Sequence, residues 1–197
     1  MSDPIAVLMD EHQLILRVLG ALAGLADQAE AGAAIDREEI GRFATFFREF
    51  ADRQHHGKEE DRLFTAMEQA GMPREGGPIA VMLYEHDEGR GHVRALAELA
   101  GGRGALTDAE RAGLVGHARA FIPLLAAHIA KEDNVLYPMA RRVLDSEAFQ
   151  RLSASCEDYD ADPGRAARVG TLRSLAEELV SRWPAPSRPL FEGGCCG

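Results

Sequence analysis

Apolar residues recur along this chain at helical spacing. Ile5, Leu8, Met9, Ile15, Leu16, Leu19, Leu22 and Leu25 return every three or four positions, which predicts a helix over about residues 4–30. Asp3-Pro4 offers it a cap and a first-turn proline. A second helix is expected over about 37–69, with Ile40, Phe43, Phe46, Phe47 and Phe50 on its apolar face. It opens on Asp36-Arg37-Glu38-Glu39, a capping-box pattern. The third follows Gly76-Gly77-Pro78 and carries Ile79, Met82, Leu83, Val93, Leu96 and Leu99 to about residue 100. The fourth opens on another capping box, Thr107-Asp108-Ala109-Glu110, and covers about 108–144. Pro123 predicts a kink inside it and Pro138 another near its end.

No alternating strand pattern is present. After Asp145 the periodicity weakens. Phe149 and Leu152 suggest a short helix, residues 158–164 a polar break, and residues 165–182 a last helix. Long helices with short connections imply an all-α fold, an up-down-up-down four-helix bundle. The expected organisation is a bundle over 1–145, a helical extension over 146–183 and a tail over 184–197.

Polar residues interrupt the apolar stripes at matched places. His12, His86 and His128 each lie in register with the apolar face of their helix. His56 and Glu60 are four residues apart, as are His128 and Glu132, so each pair stacks on one helix face. The segments His56–Asp61 and His128–Asp133 lie 72 residues apart, and Glu11-His12 precedes Glu85-His86 by 74. The chain therefore reads as two helix pairs. Each has a lone His on its first helix and His-x-x-x-Glu on its second. A carboxylate in a core is costly unless it is paired or binds a metal. Glu60 and Glu132 thus call for a cation, with His12, His56, His86 and His128 beside them.

The second helix leaves one ambiguity. His55 with Glu59 has the same spacing, rotated by about 100°. His56 with Glu60 is the preferred pair, because Glu60 precedes Leu63 by three residues as Glu132 precedes Val135. His55 is then an outer or exposed group. His92 reads as surface and His117 as core, with no counterparts in the repeat. Tyr84 and Tyr137 are candidates to hydrogen-bond near the site.

Composition narrows the partners. A net charge of −10 argues against nucleic acid or an anionic membrane surface. Neither a signal peptide nor a membrane span is visible, and three cysteines do not make a disulfide framework. The expected compartment is the reducing cytoplasm. Adjacent Cys195 and Cys196 could capture a soft metal or exchange thiols, or have no role.

The motifs Glu11-His12, His55-His56-Gly57-Lys58-Glu59-Glu60-Asp61, Glu85-His86 and His128-Ile129-Ala130-Lys131-Glu132-Asp133 resemble those of the hemerythrin-like, HHE cation-binding family, over about residues 5–140. The resemblance implies two non-haem iron ions, oxo- or hydroxo-bridged, with Glu60 and Glu132 as bridges. His12, His56, His86 and His128 would be terminal ligands. Oxygen-carrying members have a fifth His where Arg90 stands here. That departure turns the expectation from oxygen carriage toward sensing or handling O2, NO, peroxide or iron. Repair of iron centres and detoxification of peroxide or NO are the enzyme-like alternatives, and a structural bundle holding zinc or nothing is the third.

Overall fold

The computed structural model describes residues 2–187 and 189–190, so Cys195 and Cys196 lie outside the described residues. Among those residues the secondary structure is helical, with no strand. We number the helices α1 (Pro4–Glu30), α2 (37–69), α3 (Pro78–Ala100), α4 (Asp108–Val143), α5 (Ser146–Asp160) and α6 (Pro163–Arg182).

Local chemistry explains the starts. The Asp3 carboxylate accepts from the Ile5 and Ala6 amides at 3.0 and 3.3 Å. Thr107 and Glu110 cap α4 reciprocally, Glu110 accepting from the Thr107 amide at 2.8 Å and Thr107 from the Glu110 amide at 3.3 Å. At α2 only half of the expected box forms. Asp36 accepts from the Glu38 amide at 3.2 Å, but Glu39 accepts instead from Trp183 Nε1 at 2.7 Å. Glu39 also pairs with Arg42 and Arg182, so it fastens the end of α6 to the start of α2. Helix α5 runs further than its apolar pattern suggests, leaving a break of only two residues before α6. Leu152, Ser153 and Cys156 are buried along it. Tyr159 near its end is clasped between Arg62 and Arg165, whose guanidinium carbons lie 4.3 and 3.5 Å from the ring centroid.

Two helices are not uniform. In α2 the segments Phe47–His56 and Glu59–Leu63 are wound as π-helix, with hydrogen bonds from i to i+5. In α4 the same happens at Glu132–Leu136. Each widened turn rotates the residues that follow it relative to an ideal α-helix. The segment in α4 leads directly into Pro138, which has no N–H to donate. Pro123 stands inside α4, which continues through it.

Helix α1 packs against α4, α2 against α3, and α3 against α4; α6 covers α1 and α2, and α5 meets α1 and α2. By length and apolarity alone α4 could cross a membrane, but its buried face is spent on α1 and α3. The apolar core falls into two clusters. The larger includes Leu19, Leu22, Phe43, Phe46, Phe50 and Phe121. The smaller includes Ile5, Leu8, Leu63, Phe64, Met82 and Leu136. On each of α1 to α4 the boundary between clusters falls at buried polar residues. These are Glu11 and His12 on α1, His55, His56 and Glu59 on α2, His86 on α3, and His128 and Glu132 on α4. A polar layer thus divides the core.

The larger cluster is expected to dominate stability. Phe50 is fully buried and stacks on Phe46 at a centroid distance of 5.2 Å. Phe50→Ala should cost about 3–5 kcal/mol in urea unfolding, and a loss below about 1 kcal/mol would contradict this packing.

Candidate metal centre

Helical spacing brings five histidines and two glutamates into the polar layer. Two groups have ligand atoms mutually within 4.8 Å: His56, Glu59, His86 and His128 form one, and His12, His55, Glu59 and Glu132 the other. Glu59 belongs to both. All seven residues are buried, Glu59, Glu132 and His12 completely.

Each histidine turns one nitrogen outward to a carboxylate. The Nδ1 atoms of His12, His55, His86 and His128 lie 2.8, 2.9, 2.6 and 2.8 Å from Asp133, Glu11, Glu60 and Glu85. His56 Nδ1 faces Asp52 at 3.6 Å. Such outer carboxylates fix the ring and its tautomer, leaving Nε2 to face inward. His12 Nε2 and His128 Nε2 both stand 3.2 Å from Glu132, and His55 Nε2 and His86 Nε2 both stand 3.6 Å from Glu59. The inward atoms are short of partners. Both carboxylate oxygens of Glu132, Glu59 Oε2 and His55 Nε2 are buried without a hydrogen bond. Orphaned buried acceptors converging on one point are costly in a protein and natural in a metal site. The donor set, imidazole with carboxylate, suits iron, zinc or manganese.

The arrangement is two-fold in pattern, with an offset of 73 residues on α2 and α4. His55, Lys58, Glu59, Glu60 and Leu63 correspond to His128, Lys131, Glu132, Asp133 and Leu136. The contacts correspond too. Lys58 donates to Glu11 at 2.6 Å and Lys131 donates to Glu85, while Glu60 serves His86 as Asp133 serves His12. The pattern breaks at His56, whose counterpart is Ile129. It breaks again at Tyr137, whose counterpart is Phe64.

The family model of the hemerythrin HHE cation-binding domain matches residues 3–140. The chain belongs to that family. Among curated proteins, this hemerythrin-like chain is 25% identical over 153 residues to an uncharacterised protein of Mycobacterium tuberculosis (strain ATCC 25618 / H37Rv), covering 78% of this chain and 59% of that one. It is 35% identical over 94 residues to the iron-sulfur cluster repair protein YtfE of Musicola paradisiaca (strain Ech703), covering 46% of this chain and 42% of that protein. The matched region therefore spans about half the length of these relatives. No solved structure matches.

Of the residues expected from the sequence, His12, His56, His86, His128 and Glu132 come together in the layer. Glu60 does not, and Glu59 takes its place. Glu60 is half-buried and faces outward, accepting from Arg90 at 2.7 Å besides its contact with His86. His55, expected outside, is buried within the layer. The preferred register rested on matching Leu63 to Val135. Val135 is 51% exposed, and the buried equivalent is Leu136. In the widened turns the side chain four residues on, and not three, shares the buried face, which makes Leu63 and Leu136 the partners of Glu59 and Glu132. Arg90 holds Asp52, Glu60 and Asp87. The fifth histidine of this site arrives from His55 instead. Tyr137 donates to Glu59 Oε1 at 2.7 Å, whereas Tyr84 is exposed and stands apart. His92 and His117 are half-buried and face each other, Nδ1 to Nδ1, at 3.2 Å.

The charges in the layer are strongly coupled. Burial pushes the Glu59 carboxyl well above its ordinary range, and the nearby Glu132 charge adds to the push. Burial opposes ionisation of Glu132 as well, but His128 and His12 outweigh it and hold that carboxyl well below its ordinary range. Against the same desolvation, Asp133 and Glu132 lift His12 to about 9, and Glu132 and Glu85 lift His128 to about 10. Burial lowers His56 to about 3, reinforced by His86. The shifts at His12, His128 and Glu59 all favour the protonated forms, imidazolium at the two histidines and a neutral carboxyl at Glu59, and so offset negative charge in the layer as a bound cation would.

Proposed function

We propose that the chain is a non-haem di-iron protein that senses or handles O2, NO, peroxide or iron. The observation that carries this reading is Glu59. It stands in both ligand groups with one oxygen held by Tyr137 and the other unpartnered, the position of a bridge between two ions. His12, His55 and Glu132 would hold one ion, and His56, His86 and His128 the other. The packing of α1 on α4, α2 on α3 and α3 on α4 supports an up-down-up-down four-helix bundle around them.

Bound iron supplies a change of oxidation state and an open position for a small ligand. The chain's own residues do the rest. Asp133, Glu11, Glu60 and Glu85 orient four of the imidazoles from outside, and Asp52 faces the fifth. The apolar clusters above and below the layer exclude water. Tyr137 fixes the free rotation of Glu59. The likeness to YtfE supports a second reading, delivery of iron to damaged iron–sulfur centres.

Protein produced in iron-replete cells should contain two irons per chain and absorb in the oxo-to-iron charge-transfer region. Elemental analysis with an optical spectrum tests this, and a colourless, iron-free protein that refuses iron on loading would end it. Turnover of peroxide or NO, set beside transfer of iron to a cluster-depleted acceptor, separates handling from repair.

A further inference from the structure

A cavity of about 240 Å³ lies against the polar layer between α2, α3 and α4. Its residues are graded by depth. The floor is formed by His56 and His128, with side chains 8% and 2% exposed, beside Glu85. The walls are apolar and largely buried: Phe47, Ala51, Val93, Phe121 and Leu125. Gly89 is part of the wall, where a Cβ would rest against Phe121 at 3.4 Å. At the rim stand Arg48 and Arg53, with side chains 51% and 60% exposed, and the exposed Arg94. Arg48 and Arg53 share the single carboxylate of Glu49. Arg94 has no ion-pair partner among the described residues. The rim is therefore positive in a chain whose net charge is −10.

Size and charge together define an occupant. An apolar cavity of about 150 Å³ admits benzene, so this one exceeds the need of a diatomic gas several-fold. Apolar walls favour a hydrocarbon body, at roughly 25 cal/mol for each Å² buried. The guanidinium groups at the mouth favour an anionic head. The geometry points to an amphipathic organic monoanion, such as a medium-chain carboxylate, bound with its head at Arg94 and its apolar end toward His56 and His128. The inference rests on the metal-centre reading only for what lies beneath the floor.

Octanoate titrated calorimetrically into the protein as purified tests it. One octanoate should bind per chain and acetate should not. Arg94→Ala, an exposed substitution, should weaken binding about fivefold, the effect of losing an exposed ion pair worth about 1 kcal/mol. Ala97→Phe, at the half-buried upper wall, should remove binding while the melting temperature holds. Absence of saturable octanoate binding would overturn the proposal. So would undiminished binding by Ala97→Phe, or 1-octanol binding as tightly with Arg94→Ala unaffected. Metal content measured on the same samples keeps the two readings apart. A chain that binds octanoate yet refuses iron on loading would refute the di-iron function and leave the cavity's ligand in place.

Discussion

Glu59→Ala will strip the metal from this chain, and Glu60→Ala will not. Glu59 is completely buried, lies in both ligand groups and offers an unpartnered oxygen. Removing it takes a donor from each ligand group at once and leaves His55 and His86 without the carboxylate they face. Glu60 touches the site only through His86 Nδ1 and Arg90. Its loss loosens one ring, which costs about 10–100-fold in metal affinity, yet full loading remains attainable. Elemental analysis of both variants after loading with excess ferrous iron reads the difference directly. Should Glu60→Ala come out empty and Glu59→Ala loaded, the widened turns would be misplaced and the uniform α-register correct.

Lys58→Ala should be the most destabilising single change among the charged residues. Its ammonium is 1% exposed and donates to Glu11, itself 3% exposed, and to Asp160 at 3.2 Å. Deleting one member of a buried pair abandons the other, at about 3–5 kcal/mol. For a chain of this length that lowers the melting temperature by roughly 10 °C. Glu11 also orients His55, so metal affinity should fall in parallel. Lys131→Ala is the internal control. Lys131 holds Glu85 as Lys58 holds Glu11, but its side chain is 42% exposed, so its removal should cost less than about 1 kcal/mol. Differential scanning calorimetry of the two variants decides the matter, and equal losses would refute the assigned difference in burial.

Much of this was legible in the residues. Apolar periodicity located the long helices, because burial against neighbours imposes a 3.6-residue rhythm that sequence displays. Buried histidines at matching places marked the site for the same reason, since polar residues inside an apolar stripe need an explanation. The choice between Glu59 and Glu60 was not legible from periodicity. A π-turn spends an extra residue without leaving any compositional mark, so the rule that carries Glu132 to Val135 fails at the turn itself. One clue was available. Lys58 and Lys131, each three residues after a histidine, align His55 rather than His56 with His128. The length of α5 was hidden for a different reason. Tyr159 is held by two arginines, and a cation–π clasp has no helical period. Glu39 left its cap because Trp183, 144 residues away, offers a better partner.

The paired contacts bear on how such a site can arise and change. What corresponds across the two halves is a whole hydrogen-bonded frame: glutamate, lysine, histidine, carboxylate and the widened turn that aims them. The first-helix histidines are 74 residues apart and the second-helix glutamates 73, so the copies differ in length only through what lies between the anchored positions. A duplicated hairpin inherits a working half-site with its supports included. Drift in one copy can then act on positions outside that shared frame. His56 opposite Ile129, and Tyr137 opposite Phe64, are such positions. Each makes the two halves of the layer chemically unequal by one side chain, with the shared scaffold undisturbed.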